Sequence, residues 1–253
     1  MDRGTYISAA GGIVQLQKLD QINNNLANIN TPGFKRQVLV TSPTAFDQTL
    51  AGQMDLNDPY ASGDNDRTPL TTVVGAFTDF SQGPIETTGN PLNVAPRNAK
   101  DFFVINTAQG PQYTRAGNFT LNTEGELVTA DGQPVQGDGG AIVINGPGAQ
   151  ITSSGQITVN GTSVGTLRVV RIEDPSKLEH VAGSRFKAGD GQEVGESVEP
   201  DLAAGALEMS NTSALQNMIA LIAANRAFQV YTKTAQTIDE TNNTAVTRIG
   251  RRT

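Results

Sequence analysis

NNNLANINTPGFKR, residues 23–36, is the stretch on which the reading of this chain turns. Five of its first eight residues are asparagine, and Thr31-Pro32-Gly33 then ends whatever precedes it. Asparagine is a poor interior helix residue, because its amide competes with the backbone for hydrogen bonds. Yet Leu19, Ile22, Leu26 and Ile29 recur at steps of 3, 4 and 3, the spacing of a coiled-coil seam. The pattern predicts a helix from about Thr5 to Asn30, weakened at Gly11-Gly12, since each glycine costs ~1 kcal/mol against alanine. Pro32 disfavours helical backbone at Thr31, and Gly33 is permissive. Thr31, Pro32, Gly33 and Phe34 are therefore expected to redirect the chain.

The other end carries a matching signal. Between Met209 and Ile249 there is neither glycine nor proline. Ala214, Met218, Leu221, Asn225, Phe228, Thr232 and Ala235 alternate steps of 4 and 3. That predicts a long helix with a small, partly polar seam. The expected seam sets Leu19, Ile22, Leu26 and Ile29 against Met218, Leu221, Phe228 and Ile238.

The middle reads differently. Residues 41–70 hold Pro43, Pro59, Pro69, Gly52 and Gly63, and suggest an extended connection with at most one short strand. DFFVINT (101–107) suits a buried strand, and Asp131-Gly132 is a hairpin signal. AIVIN (141–145), GQITVNG (155–161) and TLRVVRIED (166–174) continue the series at the spacing of an antiparallel sandwich or barrel. The expected class is α+β: long N- and C-terminal helices pairing as a coiled coil, with a central all-β antiparallel domain. The segments are 1–35 (first helix), 36–75 (extended linker), 76–205 (β-rich domain) and 206–253 (second helix).

Composition narrows the functions. A net charge of −7 argues against general nucleic-acid binding, which needs a basic face to displace counterions. With no cysteine and one histidine, His180, thiolate chemistry and multi-His metal sites are excluded within one chain, and no cofactor is expected. No apolar run approaches the ~20 residues of a membrane span, so no direct membrane insertion is expected. No cleavable secretory pattern is visible at Met1-Asp2-Arg3-Gly4.

The amides suggest a role for the helices. Residues 4–30 contain only two charges, Lys18 and Asp20. A helix facing water usually carries Glu and Lys. A neutral amide can be buried in a close interface at lower cost than an ion, if it finds partners. Asn25, Asn28 and Asn225, with the seam residues, are thus expected to meet other copies or other proteins. Arg226, the only charge between Met209 and Gln229, is either a bridge across subunits or an exposed side chain lying along the surface.

Catalytic readings are weaker. Glu124, Glu126 and Asp131 sit in hairpin turns, where acidic residues are ordinary. Asp64-Asn65-Asp66 lacks the spacing of a calcium loop. His180, beside Glu179, reads as a loop histidine. GDGGAIVINGPG (137–148) opens no helix and so makes a poor phosphate cradle. A carbohydrate-binding or hydrolytic β domain is the competing class, disfavoured by the absence of Trp and the scarcity of Tyr.

NNNLANINTPGFKR, QGPIETTGNPLNVA (82–95), DFFVIN (101–106), YTRAGNFTLNTEGELVTADGQPV (113–135), LEMSNT (207–212) and MIALIAANRAFQVYTKTAQTIDE (218–240) together bring a family into view. The chain resembles the bacterial flagellar axial proteins of the basal-body rod and hook group over nearly its whole length. Its length and Met-Asp-Arg opening are closest to the proximal-rod kind, with the distal-rod kind a near relative. Two departures are visible: Asn98-Ala99-Lys100-Asp101 replaces a glycine-rich link, and Phe228-Gln229 stands where the group often has Tyr-Glu. The resemblance implies a non-enzymatic subunit that leaves the cell through the flagellar type III export apparatus without a cleaved signal. It implies assembly with itself and other rod subunits in the periplasmic part of the basal body, into a helical tube that transmits motor torque to the hook.

Overall fold

The computed structural model describes residues 3–45, 69–189, 191–197 and 199–250. Asp64 and Asp66 lie outside the described residues. The described residues group into two compact units, one holding the helices and residues 37–77, the other residues 27–36 with 78–213.

In the first unit, helix α1 spans Arg3–Ala27 and helix α2 spans Ala214–Gly250. Helix α1 ends three residues before the expected Asn30, because Asn28–Asn30 already form a turn. Helix α2 begins later than Met209, because Ala206–Glu208 pairs as a strand. The helices touch and run antiparallel. A Cβ on Gly4 would meet Ile238, one on Gly11 would meet the Tyr231 ring, and one on Gly12 would lie near Phe228. Gly11-Gly12, read from sequence as a weakness, is a notch for an aromatic ring. Strands β1 (Gln37–Ala45) and β2 (Pro69–Thr78) form a two-stranded ribbon in the stretch expected to be mostly irregular. The β-branched run in QVLVTS and TTVV supplies the strand preference that the neighbouring proline-rich residues masked.

The second unit is antiparallel β. Strands β3 (Ile85–Thr87), β4 (Val94–Pro96), β5 (Asp101–Thr107) and β6 (Gly110–Thr114) begin it. A six-stranded sheet runs Leu178–Ala182, Arg185–Ala188, β6, β5, Val169–Arg171, Gly195–Glu196, with every pairing antiparallel. Phe102–Ile105 is an unbroken apolar run because both faces of this sheet are covered. Phe103 and Ile105 join Phe119, Leu127, Val135, Ile157, Leu167 and Val169 on one side. Phe102 and Val104 join Tyr113, Val170, Ile172, Leu178 and Phe186 on the other. Ala149–Ile151, Gln156–Val159 and Thr162–Thr166 form a three-stranded sheet. Its second hairpin turns at Asn160 (φ 49°) and Gly161 (φ 82°), the left-handed pair that a two-residue hairpin requires. The chain then returns: Leu202–Ala204 pairs with β4 and Ala206–Glu208 with β3.

Candidate functional site

The turn after α1 is built on close backbone approach. Gly33 has φ 68°, and a Cβ there would lie 2.6 Å from the Arg115 carbonyl carbon. Its N–H donates to the Glu208 carbonyl at 2.8 Å. Thr31 Oγ1 donates to Asn28 Oδ1 at 3.1 Å, and Thr31 N–H to the Asn28 carbonyl at 3.2 Å. Phe34 is fully buried and Pro32 half-buried.

Beneath them lies a charge cluster that pattern reasoning missed. Lys35, Arg115 and Glu208 have side chains wholly removed from solvent. Lys35 Nζ donates to Glu208 Oε1 at 2.7 Å and to the Ser81 carbonyl at 2.6 Å. Arg115 Nε donates to Glu208 Oε2 at 2.6 Å. Arg115 also donates to the carbonyls of Pro96, Asn98, Ala99 and Asp101, so the Asn98–Asp101 link wraps around its guanidinium. The Gly83 N–H completes the set, donating to Glu208 Oε1 at 2.9 Å. Burial pushes the Lys35 amine below its ordinary range. Glu208 pulls it back up and Arg115 adds to the fall. Lys35 and Glu208 stand 173 positions apart, so no local spacing reveals the pair.

Two of the asparagines prove to be backbone clamps. Asn25 is buried, and its amide both accepts from the Gln37 N–H at 3.0 Å and donates to the Gln37 carbonyl at 2.8 Å. Asn211 accepts from the Arg36 N–H at 2.8 Å and donates to the Asp79 carbonyl at 2.8 Å. An amide can do both at once because it carries a donor and an acceptor side by side.

On the helices, the expected seam residues separate. Leu19, Ile22, Leu26, Asn28 and Ile29 are half-buried, as are Leu221, Phe228 and Ile238. Met218 is 52% exposed, and Asn225 and Arg226 are exposed. Ala224 and Tyr231 turn inward where Asn225 and Thr232 were expected, so the covered stripe of α2 runs Leu221, Ala224, Phe228, Tyr231, Ala235, Ile238. The shift follows from the notch: Tyr231 is the ring that Gly11 admits.

A second apolar stripe on each helix is left uncovered among the described residues. Ile13 is 56% exposed and Leu16 44% on α1; Leu215, Ile219, Ile222 and Val230 are between 52% and 69% exposed on α2. Toward the C-terminus, Thr232, Thr234, Thr237, Thr241, Thr244 and Thr247 return their hydroxyls to carbonyls four residues back. That satisfies the hydroxyls inside the helix.

Two of the carboxylates considered for catalysis, Glu126 and Asp131, are engaged in local structure. Asn122 donates to Glu126, and Asp131 accepts from Thr129 and pairs with Arg185 at 3.3 Å. A cavity of about 300 Å³ beside the turn is lined by Thr31, Pro32, Thr114, Asp131, Ser184 and Arg185, among others. His180 bonds the Gly183 carbonyl at 2.8 Å. Among the described residues, no three His, Asp or Glu side chains are grouped to hold a metal. None of the described helices is long and apolar enough to cross a membrane.

Three family descriptions match the chain in order. Residues 6–35 match "Flagella basal body rod protein", 98–163 match "Flagellar hook protein FlgE/F/G D1 domain", and 203–248 match "Flagellar basal body rod FlgEFG protein C-terminal". The flagellar basal-body rod protein FlgF of Caulobacter vibrioides is 29% identical, covering 99% of each chain. FlgG of Bacillus subtilis is 31% identical over 95% of this chain and 96% of its own length. FlhO of the same bacterium, a flagellar hook-basal body complex protein, is 26% identical over 99% of this chain and 100% of its own. The turn, the buried cluster and the paired terminal stretches thus fall within segments shared along the full length of these relatives, and the chain belongs to the flagellar basal-body rod protein family.

Proposed function

We propose that this protein is a proximal-rod subunit whose terminal helices pair as a coiled coil and pack with neighbouring subunits into a helical tube. The tube is the drive shaft that carries motor torque to the hook. The observation that carries the reading is the second apolar stripe on each helix, nearly free of charge: Ile13 and Leu16 on α1, and Leu215, Ile219 and Ile222 on α2. Exposed apolar residues that recur on one helix face are more than scattered surface leucines, and mark an interaction surface. A contact between two different faces that does not close on itself propagates as a helix of subunits. Close packing then transmits strain along the shaft, since well-packed interiors compress little.

The interface comprises Leu19, Ile22, Asn25, Leu26, Asn28 and Ile29 with Met218, Leu221, Asn225, Arg226, Phe228 and Ile238. Met218, Asn225 and Arg226 are the members that face outward. Residues 1–35 and 206–253 form the axial core, 36–75 the connection, and 76–205 the outer domain. The subunit travels through the type III export apparatus without a cleaved signal and assembles in the periplasmic space. The proximal position is supported by the likeness to the FlgF proteins, of which that of Caulobacter vibrioides is covered to 99% of its length.

The test is complementation of a deletion strain with Ile222→Lys. Ile222 is 52% exposed, so the isolated chain should fold with an unchanged circular dichroism spectrum. Motility should be lost, and isolated basal bodies should lack the subunit. Full motility would refute the interface, and labelling of the wild-type subunit at the distal rod would refute the position.

A further inference from the structure

The Thr31–Arg36 turn is held from two sides, one of them a single short C-terminal stretch. Gly33 N–H donates to the Glu208 carbonyl, Lys35 Nζ to the Glu208 carboxylate, and Arg36 N–H to Asn211 Oδ1, at 2.8, 2.7 and 2.8 Å. Three further ties come from residues 79–81: the Asp79 N–H to the Arg36 carbonyl at 2.9 Å, the Arg36–Asp79 ion pair at 2.8 Å and the Lys35 bond to the Ser81 carbonyl.

The deeper half of the cluster does not need the turn. Glu208 lies in a strand paired with β3, and its carboxylate already receives Arg115 Nε and the Gly83 N–H. Arg115 fills its remaining donors with four backbone carbonyls. Without the turn, the cluster is one cation and one anion with their hydrogen bonds made. With the turn seated, it is two cations on one anion. A neutral, satisfied pair is stable where it stands, whereas a surplus charge is tolerated only while its partner holds it.

We propose that Glu208 is a positioning residue, the latch by which Leu207–Asn211 seats the N-terminal turn after the β unit has formed. The turn then opens and closes locally while the β unit stays folded. Phe34 and the Lys35 amine are the parts that leave and return. Because the partners are 173 positions apart, a chain emerging N-terminus first keeps its turn unlatched until residue 208 has arrived. The inference does not depend on the rod reading: it concerns single chains, whereas the rod reading is tested by assembly.

The experiment is hydrogen–deuterium exchange of the full-length chain, comparing residues 31–37 with residues 101–114. Lys35→Glu sets a second carboxylate against Glu208 and leaves the Arg115–Glu208 pair intact. Exchange in 31–37 should rise about 100-fold while 101–114 stays within about threefold. Asn211→Ala removes the acceptor for the Arg36 N–H together with the donor to the Asp79 and Ser81 carbonyls, and should raise exchange in 31–37 about tenfold while 101–114 stays within about threefold. Equal acceleration of both stretches in Lys35→Glu, or unchanged protection of 31–37, would overturn the latch. Should Lys35→Glu fail to yield a folded chain, Asn211→Ala decides the matter by the same two outcomes.

Discussion

Replacing Gly11 and Gly12 by alanine, one at a time, tests the helix pair at a single point. Both glycines lie inside α1, where alanine is better than glycine by ~1 kcal/mol. Propensity alone therefore gives both variants the same gain. The surroundings do not. A Cβ on Gly12 would lie 3.8 Å from the Phe228 ring, an ordinary contact, so the gain of ~1 kcal/mol should survive. A Cβ on Gly11 would lie 2.7 Å from Tyr231 Cζ and 2.8 Å from Cδ1. The ring must move off the helix, and overpacking of this kind costs ~1–3 kcal/mol. Net of propensity, Gly11→Ala should lose up to about 2 kcal/mol, placing the neighbours ~1–3 kcal/mol apart. Urea melts of the full chain followed by helical circular dichroism at 222 nm would measure the gap. Tyr231→Ala should remove it, because the clash needs the ring. A Gly11→Ala chain as stable as Gly12→Ala, with Tyr231 intact, would refute the notch.

Two further outcomes follow from the buried cluster. The Lys35 amine titrates below 10.5 in the folded chain, so between its folded and unfolded values the unfolded chain binds more protons. Stability should therefore rise with pH across that window, and Lys35→Met should abolish the rise in urea midpoints taken up to about pH 10. A decline over the same range would contradict the charge count of two cations to one anion. Arg115→Met removes the donor that satisfies four carbonyls and half of Glu208, and should cost ~3–5 kcal/mol by chemical denaturation, as for breaking a buried pair. A loss under ~1 kcal/mol would show the cluster to be far more solvated than its geometry implies.

Much of the fold was legible because it rests on short-range rules. The strand DFFVINT, the Asp131-Gly132 turn and the stop at Thr31-Pro32-Gly33 follow from local preference, and each stands where its residues place it. The ribbon of β1 and β2 was partly hidden, because the prolines around it outweighed two modest β-branched runs. The α2 stripe was displaced by a single position at Met218, Asn225 and Thr232. A step pattern of 4 and 3 fixes a stripe only to within one residue when small and large apolar side chains alternate around the helix. The asparagines were recognised as unusual, and no local pattern announced that the Asn25 amide bonds the chain's own backbone at Gln37.

By itself the sequence determined the helical ends, the antiparallel middle, the turn and the family, since periodicity, glycine and proline placement and ordered motifs act over a few residues. Only the tertiary structure decided that Lys35, Arg115 and Glu208 share one buried site, that Tyr231 fills Gly11, and that Asn25 and Asn211 hold adjacent backbone N–H groups. The reason is distance along the chain. Burial of a charge, or the loss of a Cβ beneath a ring, depends on partners brought from positions far apart in sequence, and the composition of either partner's neighbourhood carries no trace of the other.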